Sequence, residues 1–463
     1  MVNKRMKQPK FLMVIMTLAL LVGAFFPSAS VQAQTPAVVV VYTDFEDNMV
    51  LFDSSTGATR TLIAAQAGRS VDYRILLSPD KTKVAIYAYN YDGAAVRSGD
   101  TSTVQDTLQI FSLPDGENLL TEVLMLPNIL GIGVNEDEFP PMNIHDFVAW
   151  SPDGSQIAWI TNNPGWNTVH VFPSSIASEP AQNLIASEDS VGQLSILRWS
   201  PDGTQLAYAS VTSFVSEDGS PQTNGLYTYS LADDTSTTIE VSNNGASYWF
   251  LGWDTDNSLL WSPFGVEAGA TGLYRYDLTA GTDIEIIPTT QPVSRAAVDT
   301  STQTIAFAVP NLSVEGSAPQ VGLTPGAYII GSDGQPTQVF AADNLYGVYF
   351  IQSGLLAVGN DTVIRLSDTT HFNMNLLRRA IFSPDGTQAI GEKESKTFLR
   401  ELASETETEI YSLYFVDGDW LDASTVLMKV GAYGSVIGVW QAGGSFTQLV
   451  ENSGNGPFVG VRR

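Results

Sequence analysis

A chain of 463 residues can bury a large core without covalent staples, and it has no cysteine, which removes disulfides, thiolate metal sites and a cysteine nucleophile. Its 49 acids against 22 basic residues give a net charge of -27, a surface that repels phosphate backbones, so nucleic acid is excluded as a partner. Only 15% of residues are charged and 44% are hydrophobic, and Gly, Thr, Ser, Val and Tyr outweigh Lys, Arg and Glu, so the chain is folded and β-rich.

Residues 1–33 read as a secretory signal. Lys4, Arg5, Lys7 and Lys10 form a basic start, Phe11 to Phe26 is apolar, Pro27 breaks it, and Val31-Gln32-Ala33 offers small residues for cleavage after Ala33. The stretch is short for a membrane span of about 20 residues, and none follows it, so no span is expected after cleavage. The expected organisation is a signal at 1–33 and one domain at 34–463, exported to the periplasm or the exterior. Loss of the four leading cations takes the net charge to -31.

One phrase recurs along the chain. Phe147-Val148-Ala149-Trp150-Ser151-Pro152-Asp153-Gly154-Ser155-Gln156 returns as Ile196 to Gln205 and as Ala380-Ile381-Phe382-Ser383-Pro384-Asp385-Gly386-Thr387-Gln388. A fourth copy, Ser78-Pro79-Asp80-Lys81, lacks the glycine. Each copy is strand, tight turn, strand: proline presets φ, aspartate suits the next position, and glycine takes the left-handed one, where Lys81 should be mildly strained or adopt a different turn. Alternating Thr- and Tyr-rich strands such as Gly225 to Ser230 and Gly272 to Asp277 follow, giving four strands (A to D) per unit. Degenerate units begin near 249, 295, 347 and 414.

Four antiparallel strands repeated at propeller-blade spacing, without helices, specify an all-β fold, a single β-propeller. The literal count is eight complete units plus a first that lacks its A strand, which Pro457 to Val461 can supply to close the ring. Since such rings usually have four to eight blades, the expectation is about eight, within a count of eight to nine. The Trp-Ser-Pro-Asp-Gly-Ser/Thr-Gln phrase resembles the TolB-type propeller repeat, found in periplasmic TolB and in the propellers of prolyl-oligopeptidase-like and tricorn-like proteases. The resemblance implies a fold and an exported setting and carries over no catalytic residue, because the phrase is a turn.

No Gly-x-Ser-x-Gly elbow is present, so a Ser-His-Asp enzyme is not expected and no catalytic residue is assigned. His145, His170 and His371 are too scattered to converge on a metal. The clusters Asp254-Thr255-Asp256-Asn257, Asp417-Gly418-Asp419 with Asp422, and Asp44 with Glu46-Asp47-Asn48 offer oxygens to Ca2+ but lack the twelve-position calcium loop, and the first two read as degenerate turns. No metal site and no cofactor are expected. Trp150, Trp159, Trp199 and Tyr208 read as packing between strands and blades.

Loop length carries the functional signal. A–B and C–D turns are short, whereas the B–C connections near 90–105, 161–167, 211–224, 263–271 and 310–325 are long, as is the D–A connection 127–143. All emerge on one face, and long loops in a compact domain are often functional. This rim carries Glu136, Asp137, Glu138, Glu217 and Asp218 with Tyr91, Phe139, Trp166, Phe214 and Phe264. It suits a basic or neutral partner: an envelope or extracellular protein, a peptide or a glycan. The expected function is therefore a monomeric, non-enzymatic binding or scaffold propeller. The alternative is an axial-pocket enzyme on a glycan, of lyase or hydrolase type, with a cation if one is needed.

Overall fold

The computed structural model describes residues 36–65, 70–91, 106–124, 148–163, 166–173, 182–187, 193–213, 222–242, 248–265, 269–311, 322–343, 345, 347–359, 362–374, 377–432, 435–451 and 453–463. The signal-like segment 1–33 lies outside them, and no described helix is long and apolar enough to cross a membrane. Thirty-six strands are described, and they form nine four-stranded antiparallel groups, a β-propeller. Nine is the upper end of the expected count. The degenerate units are genuine blades, and the general preference for smaller rings is not followed here.

The A strands are Ser453–Arg462 in blade 1, Ser70–Leu77, Val148–Trp150, Gln193–Trp199, Tyr248–Thr255, Ser294–Asp299, Val348–Gln352, Arg378–Phe382 and, in blade 9, Phe415–Asp422. They are innermost: the A strands of blades 3 to 7 touch in turn, as do those of blades 8, 9, 1 and 2. Blade 1 takes its B strand from Val38–Asp44 and its A strand from the C-terminal end of the chain. The register runs from Val38 opposite Arg462 to Tyr42 opposite Phe458. Arg463 Nη1 then donates to Asp53 Oδ2 (2.7 Å) and Ser55 Oγ (2.7 Å).

The B strands of blades 1, 6 and 7 read as apolar runs because a blade is covered on both faces. In blade 1, Val38, Val40 and Tyr42 pack with Leu427 and Ile437 of blade 9, while Val39 and Val41 pack with Val84 and Ile86 of blade 2. In blade 6, Ile305, Phe307 and Val309 face blade 5, and Ala306 and Ala308 face blade 7. In blade 6 one face of the run is Ile, Phe and Val and the other is alanine, which is how a period-2 pattern hides inside a run without polar residues.

The repeated phrase builds one hydrogen-bonded device four times. Ser78 Oγ donates to Asp80 Oδ1 (2.6 Å) and accepts from Lys83 N–H (2.9 Å). Ser151 does the same with Asp153 and Gln156, Ser200 with Asp202 and Gln205, and Ser383 with Asp385 and Gln388. All four serines are buried. The serine hydroxyls hold Asp153 and Asp385 below the usual carboxylate range. Burial works against ionisation at Asp80 and Asp202, yet donors from the same turn outweigh it, and Asp80 falls to about 2.

Gly154, Gly203 and Gly386 adopt φ of 72°, 71° and 65°, and Lys81 is forced to 60°. A side chain there costs about 1–2 kcal/mol, partly offset by the extra freedom glycine has when unfolded. Lys81→Gly should therefore raise the unfolding free energy by about 0.5 kcal/mol in a urea titration. A loss of stability would contradict this assignment of strain.

The tryptophan before the turn adds a link between blades. Trp150 Nε1 donates to Leu76 O (3.2 Å), Trp199 Nε1 to Ala149 O (2.9 Å) and Trp253 Nε1 to Arg198 O (3.1 Å), each reaching the A strand of the preceding blade.

Candidate functional site

Two regions depart from the minimal ring. The first is the B–C face of blades 2–5. There the B and C strands have 9 and 7, 8 and 8, 9 and 9, and 8 and 9 residues, against 4 and 4 in blade 7 and 6 and 6 in blades 8 and 9. In blades 3–5 the B–C pairing continues into the expected loops as raised hairpins, whereas in blade 2 it stops at Ala88 opposite Thr107, and the placement of three residues is corrected. Trp166 is a strand residue paired with Asn163, Phe264 is a strand residue paired with Ala270, and Tyr91 ends the B strand of blade 2 opposite Ser70. The reason is physical: Thr161, Asn162 and Asn163 keep the B–C pairing going, so only residues 164–165 lie between the strands. The connection at 310–325 does separate its strands, Thr304–Val309 and Gly326–Ile330.

Phe139, Phe214, Glu136, Asp137, Glu138, Glu217 and Asp218 lie outside the described residues, as does His145. His170 is on the C strand of blade 3 and His371 on the D strand of blade 7, where its ring meets Phe340 edge-on at 5.5 Å. Beneath the raised face is a band of aromatic packing. Tyr208 stacks on Tyr227 (5.2 Å), Trp261 stacks on Tyr274 (4.7 Å), and Tyr248 meets Trp261 edge-on (5.7 Å). Trp261 Nε1 donates to Asp283 Oδ1 (2.7 Å). Blade 4 leans onto blade 5 here, since Thr223 of its hairpin pairs with Tyr248 of the next A strand.

The second region is the axial sector of blades 7–9. Val348 and Phe350 pack towards blade 6, which turns the intervening Tyr349 the other way, and it is 58% exposed although it sits on an innermost strand. Arg378 and Arg379 are exposed on the next innermost strand, and Arg379 has φ of 56° inside a β-bulge between Arg378 and Ile381. Bulges of this kind re-aim side chains. Asp417 and Asp419 follow on the A strand of blade 9, also exposed. Between them Gly418 lies so close to blade 8 that a Cβ there would meet Ile381 Cδ1 at 2.9 Å.

This corrects the assignment of Asp417-Gly418-Asp419 to a degenerate turn. The two-residue turn lies beyond Asp422, which pairs with Thr425, and Asp417 and Asp419 belong to the strand. The extra residue of the bulge between Phe415 and Asp417 displaces the sequence from its expected register. Water reaches both carboxyls, but the surrounding strands desolvate them enough to raise both above the usual range. Gly418 N–H, Lys429 and Arg379 counter this at Asp417, and Lys81 counters it at Asp419. Lys429, opposite Asp417, is 1% exposed and donates to the carbonyls of Gly454 and Gly456 in the closing strand, and burial pushes it down to about 8.

The other acidic clusters are structural. Asp254 is buried and ion-paired with Arg275. Asp256 Oδ1 accepts Asp202 N–H of the neighbouring turn (2.8 Å). Asp44 Oδ1 accepts the N–H groups of Glu46 and Asn48 (both 2.9 Å). Among the described residues no group of three or more His, Cys, Asp or Glu could hold a metal ion.

No family model matches the chain, and no curated protein sequence matches it. Among solved structures it is similar to a eukaryotic initiation factor, at 11% identity and a TM-score of 0.53, covering 92% of this chain and 98% of that one. It is also similar to the β-propeller domain of the trilobed protease from Pyrococcus furiosus, at 9% identity, a TM-score of 0.42 and coverage of 84% and 98%. TolB from Acinetobacter baumannii follows at 15% identity, a TM-score of 0.31 and coverage of 65% and 62%. At such identities the likeness is one of fold, a β-propeller, and fold alone assigns no activity.

Proposed function

We propose that this chain is an exported, monomeric binding propeller with a TolB-like repeat, and that the raised B–C face of blades 2–5 docks an envelope or extracellular protein, peptide or glycan. The observation that carries this is one-sidedness. Blades 3–5 carry their B–C pairing beyond the point where blades 7–9 close their hairpins, and blade 2 lengthens its B strand alongside them. In blade 4 part of that length pairs with the next blade through Thr223, and paired strands hold side chains more firmly than free loops. Trp166 and Phe139 are the proposed anchors, with Tyr91, Phe214 and Phe264 as further contacts. The acids Glu136, Asp137, Glu138, Glu217 and Asp218 favour a partner with basic groups.

Tagged residues 34–463 should retain a partner from envelope or medium, identified by mass spectrometry. The Trp166→Ala/Phe139→Ala variant should lose it while melting within about 1 °C of the parent, as expected of surface substitutions. Equal capture by both would remove these residues from the site.

A further inference from the structure

Charge thins out where the hairpins rise. At the B–C end of blade 8 the chain places Lys393, Glu394 and Lys396, and at that of blade 1 Asp44, Glu46 and Asp47. In blades 3–5 the strand residues paired beyond the point where blades 8 and 9 close are of another kind. Asn162 lies opposite Asn167 and Asn163 opposite Trp166 in blade 3. Val211 lies opposite Thr223 and Ser213 opposite Gln222 in blade 4, and Phe264 opposite Ala270 in blade 5. None of these is charged, although the chain carries a net charge of -27.

This composition discriminates between kinds of partner. A charged peptide is held by opposite charge, and these positions supply none. An apolar protein patch is met by a contiguous apolar surface, whereas amide and hydroxyl residues make up most of this set. Both groups donate and accept hydrogen bonds, as the hydroxyls of a sugar do. Trp166 and Phe264 add the flat apolar area that the carbon face of a sugar ring can cover. Opposed residues on a ribbon occupy one face, so Trp166 shares its face with Asn163. Pairing fixes this spacing before any ligand arrives, which lowers the ordering cost of binding.

We infer that the raised ends of blades 3–5 bind a neutral glycan, with Trp166 and Phe264 against the sugar rings and the neighbouring amides and hydroxyls bonded to the sugar hydroxyls. This inference rests on the docking reading above and narrows it to one class of ligand. Acidic polysaccharides are disfavoured, because the chain's own charge repels them. Glu217 and Asp218, which fall between the paired ends of blade 4 in sequence and outside the described residues, act in the same sense.

Native electrophoresis of residues 34–463 through gels containing xylan, laminarin, mannan or galactan, with alginate as the acidic control, tests it. At least one neutral glycan should retard the parent and alginate should not, and added NaCl should leave the retardation unchanged, since no ion pair is involved. Trp166→Ala should weaken the affinity read from the gel at least tenfold without lowering the melting temperature. Free passage through all four neutral gels, retardation by alginate alone, retardation that salt removes, or equal retardation of parent and variant would overturn the inference. The comparison of gels on the parent protein stands even if the variant fails to fold. A protein partner captured by the parent and lost by Trp166→Ala/Phe139→Ala, with no retardation by any neutral glycan, would overturn this inference and leave docking at the raised face standing.

Discussion

Truncation after Glu451 should abolish the cooperative unfolding transition and leave a protein that elutes as aggregates. The deletion removes the whole A strand of blade 1, with buried Phe458 and Val461 and the two carbonyls that hold Lys429. Each large apolar side chain contributes roughly 2–3 kcal/mol by burial. A desolvated ammonium without partners costs several more, so the total rivals a typical margin of about 5–15 kcal/mol. The exposed edge would be Val38-Val39-Val40-Val41-Tyr42, an apolar strand with free backbone groups and no charge to deter pairing with another chain. Size-exclusion chromatography and a thermal scan decide the matter. A monomer melting within a few degrees of the parent would show that the closing strand is dispensable.

The second large effect is an acid transition governed by Asp299, which takes the place of the turn serine in blade 6. Asp299 is 6% exposed, and burial alone would raise its pKa. Donors from Ser301, Ser353, Thr302 and the Gly354 N–H prevail and hold it at about 2, two of them reaching across from blade 7. A carboxyl lowered from 3.8 to about 2 stabilises the fold by roughly 2 kcal/mol at neutral pH. That contribution is whole above about pH 4 and fades as the pH falls through 2. Asp80, Asp153, Asp202 and Asp385 are lowered in the same sense, while Asp417 and Asp419 are raised and act in the opposite direction. Stability measured by urea titration should thus decline between about pH 4 and 2. Asp299→Ala should cost about 2 kcal/mol at pH 7 and much less at pH 2, because the exposed donors Ser301 and Ser353 can turn to water once the carboxylate is gone, and the charge matters only where it exists. A cost unchanged between the two pH values would refute the linkage.

The turn phrase made the fold legible, because Ser, Pro, Asp and Gly each have a separate local reason to be there and recur together. The reach of Trp150 and Trp199 between blades was anticipated as packing, but the indole hydrogen bond depends on where the neighbouring carbonyl lies, which no single phrase encodes. Hairpin length was misjudged because Asn-rich and Gly-rich segments such as Asn162-Asn163 look like loop, although their backbone pairs as strand. The axial sector escaped for a related reason. A one-residue bulge shifts Asp417 and Asp419 out of the alignment that made them seem turn residues.

The indole links have a bearing on how the ring is assembled. They join residues 74, 50 and 55 positions apart, so each blade can dock on its predecessor as soon as it forms. The bonds from Arg463 to Ser55 and Asp53 span 408 and 410 positions. Loop-closure entropy rises only with the logarithm of length, so this last link costs about 2 kcal/mol more than an indole link, a modest thermodynamic burden. Its weight is kinetic: every blade must be in place before the two chain ends can meet, and until then the first strand waits without its neighbour.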